Sequence, residues 1–171
     1  ILVDQQGHVR ICDFGVSDVF KVVWERTPHK SRGICGSCPY IAPEEFGGDE
    51  YDAQKVDVWS LGIIYYAMTF HSVPWDEVTV NDAAFQGYLQ GGQDMFEPFQ
   101  RLPKHSRDLL KGMLQVDPTK RLTIEQVRES PWIKRVPFVP LPVIPTVVIN
   151  NGHSRSSSSA SSGSASGNSS S

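Results

Sequence analysis

Two tripeptides about thirty residues apart constrain this 171-residue chain more than any other feature. Asp13-Phe14-Gly15 follows a short β-branched run, and Ala42-Pro43-Glu44 follows a polar stretch. The first predicts a sharp turn at Gly15, because glycine lacks a Cβ and adopts a positive φ at little cost. The second predicts the start of a short helix, since proline early in a helix loses no hydrogen bond. The residues between them should therefore form a long loop.

The spacing of these tripeptides resembles the activation segment of eukaryotic protein kinases, here residues 13–44. By that resemblance Asp13 holds Mg2+ against ATP, a role that suits a carboxylate because Mg2+ prefers oxygen ligands. Phe14 would be an apolar plug whose packing decides whether Asp13 faces the nucleotide. Cys12 would lie at the floor of the nucleotide site as a packed small hydrophobe.

Ser37 lies in Gly36-Ser37-Cys38-Pro39-Tyr40, a pattern similar to the one that serine/threonine kinases carry before Ala-Pro-Glu. The resemblance implies that the Ser37 hydroxyl is held against the catalytic Asp and that protein substrates present Ser or Thr. Tyr40 and Ile41 would then line the pocket for the residue after the acceptor, or pack in the core instead.

The stretch from Val16 to Arg32 reads as a loop, with Thr27-Pro28 as a local breaker. Thr27 and Ser31 are the candidate phosphorylation sites, because an added phosphate would order the loop by pairing with arginine. The alternative is that both are solvated hydroxyls. Many kinases carry the activating residue four positions before the equivalent of Ser37, where this chain has Gly33. An upstream kinase is accordingly an expected but unspecified partner.

Three further residues are structural by the same resemblance. Glu44 and Arg121, the latter in Asp117-Pro118-Thr119-Lys120-Arg121, match a buried ion pair that locks the lobe. Surface pairing through Glu45 is the alternative. Asp57 matches an Asp that accepts hydrogen bonds from the backbone of the catalytic loop, although an Asp in a first helical turn is also favourable for its dipole contact alone.

The patterning predicts a mainly α fold: a kinase C-lobe, or helical bundle, with a small β-hairpin that carries Asp-Phe-Gly. The hairpin comes from residues 1–3 and 8–12 around Asp4-Gln5-Gln6-Gly7. Four helices are expected. The first runs from Asp57 to about Phe70, and the second from Asn81 to Gln90, where Gly91-Gly92 stops it. The third begins at Pro103 and has Leu109, Leu110, Met113 and Leu114 on one face; the fourth is capped by Thr123, runs from Ile124 to about Ser130 and is closed by Pro131-Trp132-Ile133.

Composition divides the chain into three parts. Residues 1–134 are expected to be the C-terminal part of a kinase domain, 135–150 a proline-rich strap or linker, and 151–171 a disordered Ser/Gly-rich tail. A complete kinase domain is longer, and the Gly-rich loop, strand lysine and catalytic loop do not occur here. We therefore expect a fragment whose N-lobe is absent and which is inactive alone.

Charge and cysteines bear on several classes of function. A net charge of -3 gives no indication of a nucleic-acid partner, which would show as a basic face. Three cysteines provide neither a disulfide framework nor a four-thiolate zinc site, which favours a reduced, cytoplasmic setting. The apolar run 56–68 is shorter than the roughly 20 residues that a membrane span needs.

A narrower resemblance rests on three stretches, which are 16–20 followed by Trp24-Glu25, 34–37 and 39–45. They are similar to a fungal branch of serine/threonine kinases, the nitrogen-permease-reactivator and halotolerance type, which regulates plasma-membrane transporters. The resemblance covers about residues 1–134 and implies phosphoryl transfer from Mg-ATP to proteins. The alternative from another class is a pseudokinase or truncated scaffold, against which Asp13 argues because a binding module has little need of a metal carboxylate.

Overall fold

A computed structural model describes residues 1–135, apart from the side chains of 93–95. The predicted strap and tail lie outside the described residues, except for Arg135. The described part divides into two compact units, residues 1–10 and residues 11–135. The turns and helix ends of each unit can be traced to particular residues.

The first unit is the predicted hairpin. Strand β1 (Leu2–Val3) pairs antiparallel with β2 (Val9–Arg10), with Leu2 opposite Arg10 and Val3 opposite Val9. The Asp4 carboxylate holds the turn, since it accepts hydrogen bonds from the backbone N–H groups of Gln6 and His8 at 3.0 and 2.8 Å. Gly7 has φ 82°, as the turn prediction requires. All four strand residues are exposed.

The second unit is helical. After two 3-10 helices, Cys38–Tyr40 and Pro43–Gly47, the structure contains six α-helices in the described range. They are α1 (Ala53–Phe70), α2 (Ala83–Met95), α3 (Glu97–Gln100), α4 (Lys104–Met113), α5 (Ile124–Glu129) and α6 (Pro131–Arg135). The mainly α prediction is therefore confirmed for this part of the chain, together with the small two-stranded sheet.

Helix boundaries follow local signals, and the predicted start of α1 is wrong. Helix α1 begins at Ala53 rather than Asp57, because the Asp52 carboxylate accepts a hydrogen bond from the Gln54 N–H at 3.1 Å and so starts the helix a turn earlier. Gly92 interrupts the helical backbone of α2 with φ 66° and ψ 167°, so that α2 consists of two helical pieces and the predicted stop at Gly91-Gly92 is confirmed as the kink between them. The predicted Thr123 cap is confirmed as a capping box with Gln126.

The core lies around α1. Trp59, Ile63 and Tyr66 are buried on α1 and pack with the loop residue Trp75 and with aromatic residues of α2 and α3. Helix α4 crosses nearby, since Leu110 and Leu114 belong to this cluster while Leu109 and Met113 pack with Val58 in a second one. Apolar burial of this kind is the main stabilising term of a helical unit. Across residues 1–135, no helix combines the length and the apolarity that crossing a bilayer would demand.

Candidate functional site

Asp13 occupies a strained turn with its carboxylate exposed. Its φ is 63°, in the left-handed region that non-glycine residues seldom adopt, and its Oδ1 accepts a hydrogen bond from the Gly15 N–H at 3.3 Å. The positive φ expected at Gly15 therefore lies at Asp13, because the carboxylate stabilises the turn through this local bond. Within the described residues, Oδ2 of Asp13 accepts no hydrogen bond and is open to a cation.

The neighbours of Asp13 differ from expectation. Phe14 is 67% exposed, so it does not act as a buried plug in this conformation. Its carbonyl oxygen accepts hydrogen bonds from the Ser17 N–H and hydroxyl at 3.1 and 2.7 Å, which continue the turn. Cys12 is half-buried with a free thiol. Among the described residues, no three or more His, Cys, Asp or Glu side chains lie together in a group that could hold a metal ion.

Ser37 is exposed just before the first 3-10 helix. Its carbonyl oxygen accepts a hydrogen bond from the Tyr40 N–H at 2.9 Å, while its hydroxyl forms no capping bond. Tyr40 is 37% exposed and Ile41 is buried at 4%, so of the two proposed pocket residues Tyr40 faces solvent and Ile41 packs in the core. Both flanking cysteines, Cys35 and Cys38, are exposed free thiols.

Glu44 and Arg121 form a bidentate ion pair. Two guanidinium nitrogens of Arg121 donate to the two carboxylate oxygens of Glu44, at 2.6 and 2.8 Å. The Arg121 side chain is completely buried and that of Glu44 is 13% exposed. This geometry matches the planar fork of the guanidinium to both oxygens, which is the strongest form of such a pair. It joins the end of the predicted activation segment to the region before α5.

Arg121 has further partners that satisfy its remaining N–H groups. It donates to the carbonyl oxygens of Gln115 at 2.9 Å and Lys55 at 2.8 Å, and lies 5.0 Å above the Trp59 ring. The Lys55 ammonium in turn donates to the Arg121 carbonyl oxygen at 2.5 Å. Arg121 therefore connects the backbone at Gln115 and the backbone at Lys55 as well as the Glu44 side chain.

Glu45 does not form the surface pair that is the alternative to the Glu44–Arg121 pair. It is 3% exposed, not on the surface, and its carboxylate accepts hydrogen bonds from the Ala42 N–H at 2.8 Å and the Cys35 N–H at 3.5 Å. Burial is the largest influence on its pKa and raises it, while these two backbone donors act in the opposite direction. Glu45 thus ties the stretch before Ser37 to the second 3-10 helix.

Asp57 lies in the second turn of α1 and is open to solvent. Its carboxylate accepts no hydrogen bond from residues 1–135. Neighbouring protein atoms remove part of its water and raise the pKa of this carboxyl. A partly desolvated carboxylate without a donor suits the expectation that its donors are backbone amides of another segment.

The two candidate phosphorylation sites have opposite environments. Thr27 is exposed beside Pro28. Ser31 is 8% exposed, and its hydroxyl donates to Asp18 Oδ2 at 2.6 Å. Of the two, only the Thr27 hydroxyl is open to an upstream kinase in this conformation.

Comparison with known proteins shows similarity to protein kinases. Residues 1–133 match the family described as protein kinase domain. The serine/threonine-protein kinases HAL4/SAT4 and HAL5 of Saccharomyces cerevisiae are 36% and 40% identical over 80% and 79% of this chain. Serine/threonine-protein kinase CHK1 of Mycosarcoma maydis is 39% identical over 79% of it. The resemblance to the fungal halotolerance branch is confirmed by the first two. The chain spans about a fifth of the length of these relatives, namely 23%, 17% and 20%.

Proposed function

The chain belongs to the protein kinase domain family, and from that premise we propose that the complete protein transfers the γ-phosphoryl group of ATP to serine or threonine residues of proteins. The observation that carries the proposal is Asp13, an exposed carboxylate in a strained left-handed turn. Backbone strain of about 1–3 kcal/mol persists only where the surroundings impose it, and such strain concentrates at functional sites.

Asp13 fits the Mg2+ that ATP-dependent transfer requires, because its Oδ2 is open while Oδ1 is held by the Gly15 N–H. When bound, Mg2+ neutralises charge that develops on the phosphate oxygens. The chain's own contribution is to hold that carboxylate in one orientation, so that less reorganisation is needed when substrate binds. Cys12, directly before Asp13, is the proposed contact with the nucleotide.

Ser37 is proposed to hold the acceptor side of the site. Its hydroxyl is exposed and forms no cap, so it is available to a catalytic carboxylate and to the substrate. Glu45 holds the backbone two residues earlier, and Glu44 anchors the far end through Arg121. Asp57 is proposed to accept hydrogen bonds from the catalytic loop of the complete protein. In support of this proposal, the Asp57 carboxylate accepts no hydrogen bond from the described residues.

The biological setting is proposed on the branch resemblance alone. Similarity to the halotolerance kinases favours regulation of plasma-membrane transporters from the cytoplasmic side, with Ser- or Thr-containing proteins as substrates. Thr27, the exposed candidate, is the proposed target of an upstream kinase.

The test compares Asp13→Ala with a matched exposed carboxylate, Asp49→Ala, in the complete protein. We expect Asp13→Ala to lower transfer of labelled phosphate to a serine peptide by about a hundredfold or more, because it removes a group that stabilises the transition state. Asp49→Ala should retain wild-type turnover. Circular dichroism should show both variants folded.

Normal turnover by Asp13→Ala would refute the metal role. Wild-type protein that binds ATP and Mg2+ but transfers no phosphate to any acceptor would favour the scaffold alternative instead. Phosphate found on tyrosine rather than on serine or threonine would refute the proposed acceptor class.

A further inference from the structure

The loop between Asp18 and Ser31 closes on itself at its base. The Ser31 hydroxyl donates to Asp18 Oδ2 at 2.6 Å, and two residues further along each limb the His29 N–H donates to the Phe20 carbonyl oxygen at 2.6 Å. These two contacts pair the limbs in antiparallel register. The loop therefore has a stem made of one side-chain and one backbone hydrogen bond, even though it contains neither helix nor strand.

The Ser31 limb is fixed from its other side as well. Ser31 and Tyr51 exchange two backbone hydrogen bonds, both of 2.9 Å, and the Tyr51 hydroxyl donates to the Gly33 carbonyl oxygen at 2.8 Å. The Cys35 N–H then donates to Glu45. Contacts with residues 45–51 thus hold residues 31–35, which we call the anchored stretch. The Asp18 side chain is linked to this stretch by its hydrogen bond with the Ser31 hydroxyl.

We propose that the Ser31–Asp18 hydrogen bond is a latch that keeps the 18–31 loop closed on the anchored stretch without any phosphate group, and that both are positioning residues for Ser37. The structural half of this proposal is that the hydrogen bond keeps the loop closed. The catalytic half is that Ser31 and Asp18 position Ser37, and it rests on the proposed function, since it requires Ser37 to take part in phosphoryl transfer.

The latch and phosphorylation exclude each other at Ser31. A phosphate on that hydroxyl would replace the donated proton with negative charge beside the Asp18 carboxylate, and like charges at such a distance repel. Ser31 is also 8% exposed, so modification requires the latch to open first. Ser31 therefore acts as an unmodified hydroxyl.

Limited trypsin digestion of the complete protein tests loop closure directly. Lys21 and Arg26 are exposed sites within the loop, and cleavage there follows the population of the open loop when opening is fast. A hydrogen bond to a charged group stabilises the closed loop enough that its loss in Ser31→Ala should raise the rate of trypsin cleavage at both sites by about tenfold. Ser72→Ala and Asp49→Ala, which change exposed residues of the same types, should leave the rate unchanged.

The two partners differ in what their removal leaves behind. Asp18→Ala strands a buried hydroxyl without its acceptor, whereas Ser31→Ala leaves an exposed carboxylate that water solvates. Asp18→Ala should therefore accelerate cleavage at least as much as Ser31→Ala. The double variant should be no faster than Asp18→Ala, because both changes remove the same bond. Asp18→Asn retains an acceptor oxygen and should recover most of the protection.

Unchanged cleavage in both single variants, or multiplied rates in the double variant, would overturn the latch. For the catalytic half, Ser31→Ala should lower kcat for a serine peptide while KM for ATP stays constant, and Asp18→Asn should retain most of kcat. The positioning role would be overturned if Ser31→Ala accelerates cleavage but leaves kcat unaltered. It would also be overturned if Ser31→Ala raises KM for ATP by the same factor as it lowers kcat. If the wild-type protein shows no transfer, the proposed function fails, while the digestion still decides the latch.

Discussion

Removing one member of the Glu44–Arg121 pair should destabilise the protein far more than breaking a surface pair. The Arg121 side chain is completely buried, so without Glu44 its charge has no counterion in the bidentate position. Breaking a buried pair by removing one partner costs about 3–5 kcal/mol. The structure places the two variants at different ends of that range.

Glu44→Gln should cost about 3 kcal/mol, near the lower limit, because the guanidinium keeps the carbonyl oxygens of Gln115 and Lys55 as acceptors. Arg121→Met should cost about 5 kcal/mol, since it leaves Glu44 only 13% exposed and also strips those two carbonyl groups of their donor. Methionine keeps most of the side-chain volume, so the loss reflects the interactions rather than a cavity.

Urea unfolding of the complete protein, followed by tryptophan fluorescence, measures the effect. Trp59 is a local reporter because its ring lies 5.0 Å from the Arg121 guanidinium carbon. With a slope of about 2 kcal/mol per molar, these losses lower the urea midpoint by about 1.5 M for Glu44→Gln and about 2.5 M for Arg121→Met. The matched control is the exposed pair Glu97–Arg101, whose side chains are 63% and 67% exposed.

Glu97→Gln and Arg101→Met should each change stability by less than about 1 kcal/mol, because surface pairs are solvated and screened. Midpoints for Glu44→Gln and Arg121→Met that match those of the control variants would refute the argument from burial. Double substitution that restores stability would instead agree with it, since no unpaired charge then remains.

Further predictions concern Glu45 and two glycines. Because burial raises the pKa of Glu45, its contribution to stability is fully present below the unfolded-state pKa and is lost as pH rises through the folded-state pKa. Glu45→Gln should therefore melt at a more constant temperature between about pH 4 and pH 7 than the wild type does, and parallel pH profiles would contradict this. Gly112→Ala would place its Cβ 2.5 Å from Leu122 Cδ1 and should cost about 1–3 kcal/mol in urea unfolding. Gly87→Ala, in α2 with open space around its Cβ, should instead stabilise by about 0.5–1 kcal/mol, and equal effects of the two substitutions would show that the close approach is not the cause.

Local signals predicted the elements whose causes are local. The Thr123 cap and the helix after it depend on contacts three residues apart, so sequence order alone places the partners together. The Pro103 helix likewise has its apolar residues at 109, 110, 113 and 114, all buried. The end of the described residues is harder to predict. Helix α6 begins at Pro131, one residue after α5 ends, whereas the sequence predicts only that Pro131-Trp132-Ile133 closes the preceding helix.

Adjacent glutamates show why the site was only partly predictable. Glu44 and Glu45 lie in a 3-10 helix, in which successive side chains point about 120° apart. One therefore reaches Arg121 across the unit while the other turns inward to two backbone N–H groups. The motif distinguishes Glu44, yet nothing local shows that Glu45 is the more buried residue.

By itself the sequence determined which chemical groups occur along the chain, among them a carboxylate at Asp13 and a hydroxyl at Ser37, and the caps and apolar periodicity that make residues 1–135 mainly α. The tertiary structure alone decided which groups lose water and which donors meet which acceptors. The burial of Glu45, the Glu44–Arg121 ion pair and the Ser31–Asp18 contact depend on atoms brought together by packing. Desolvation and hydrogen-bond geometry are properties of that assembled neighbourhood, and residue order does not contain them.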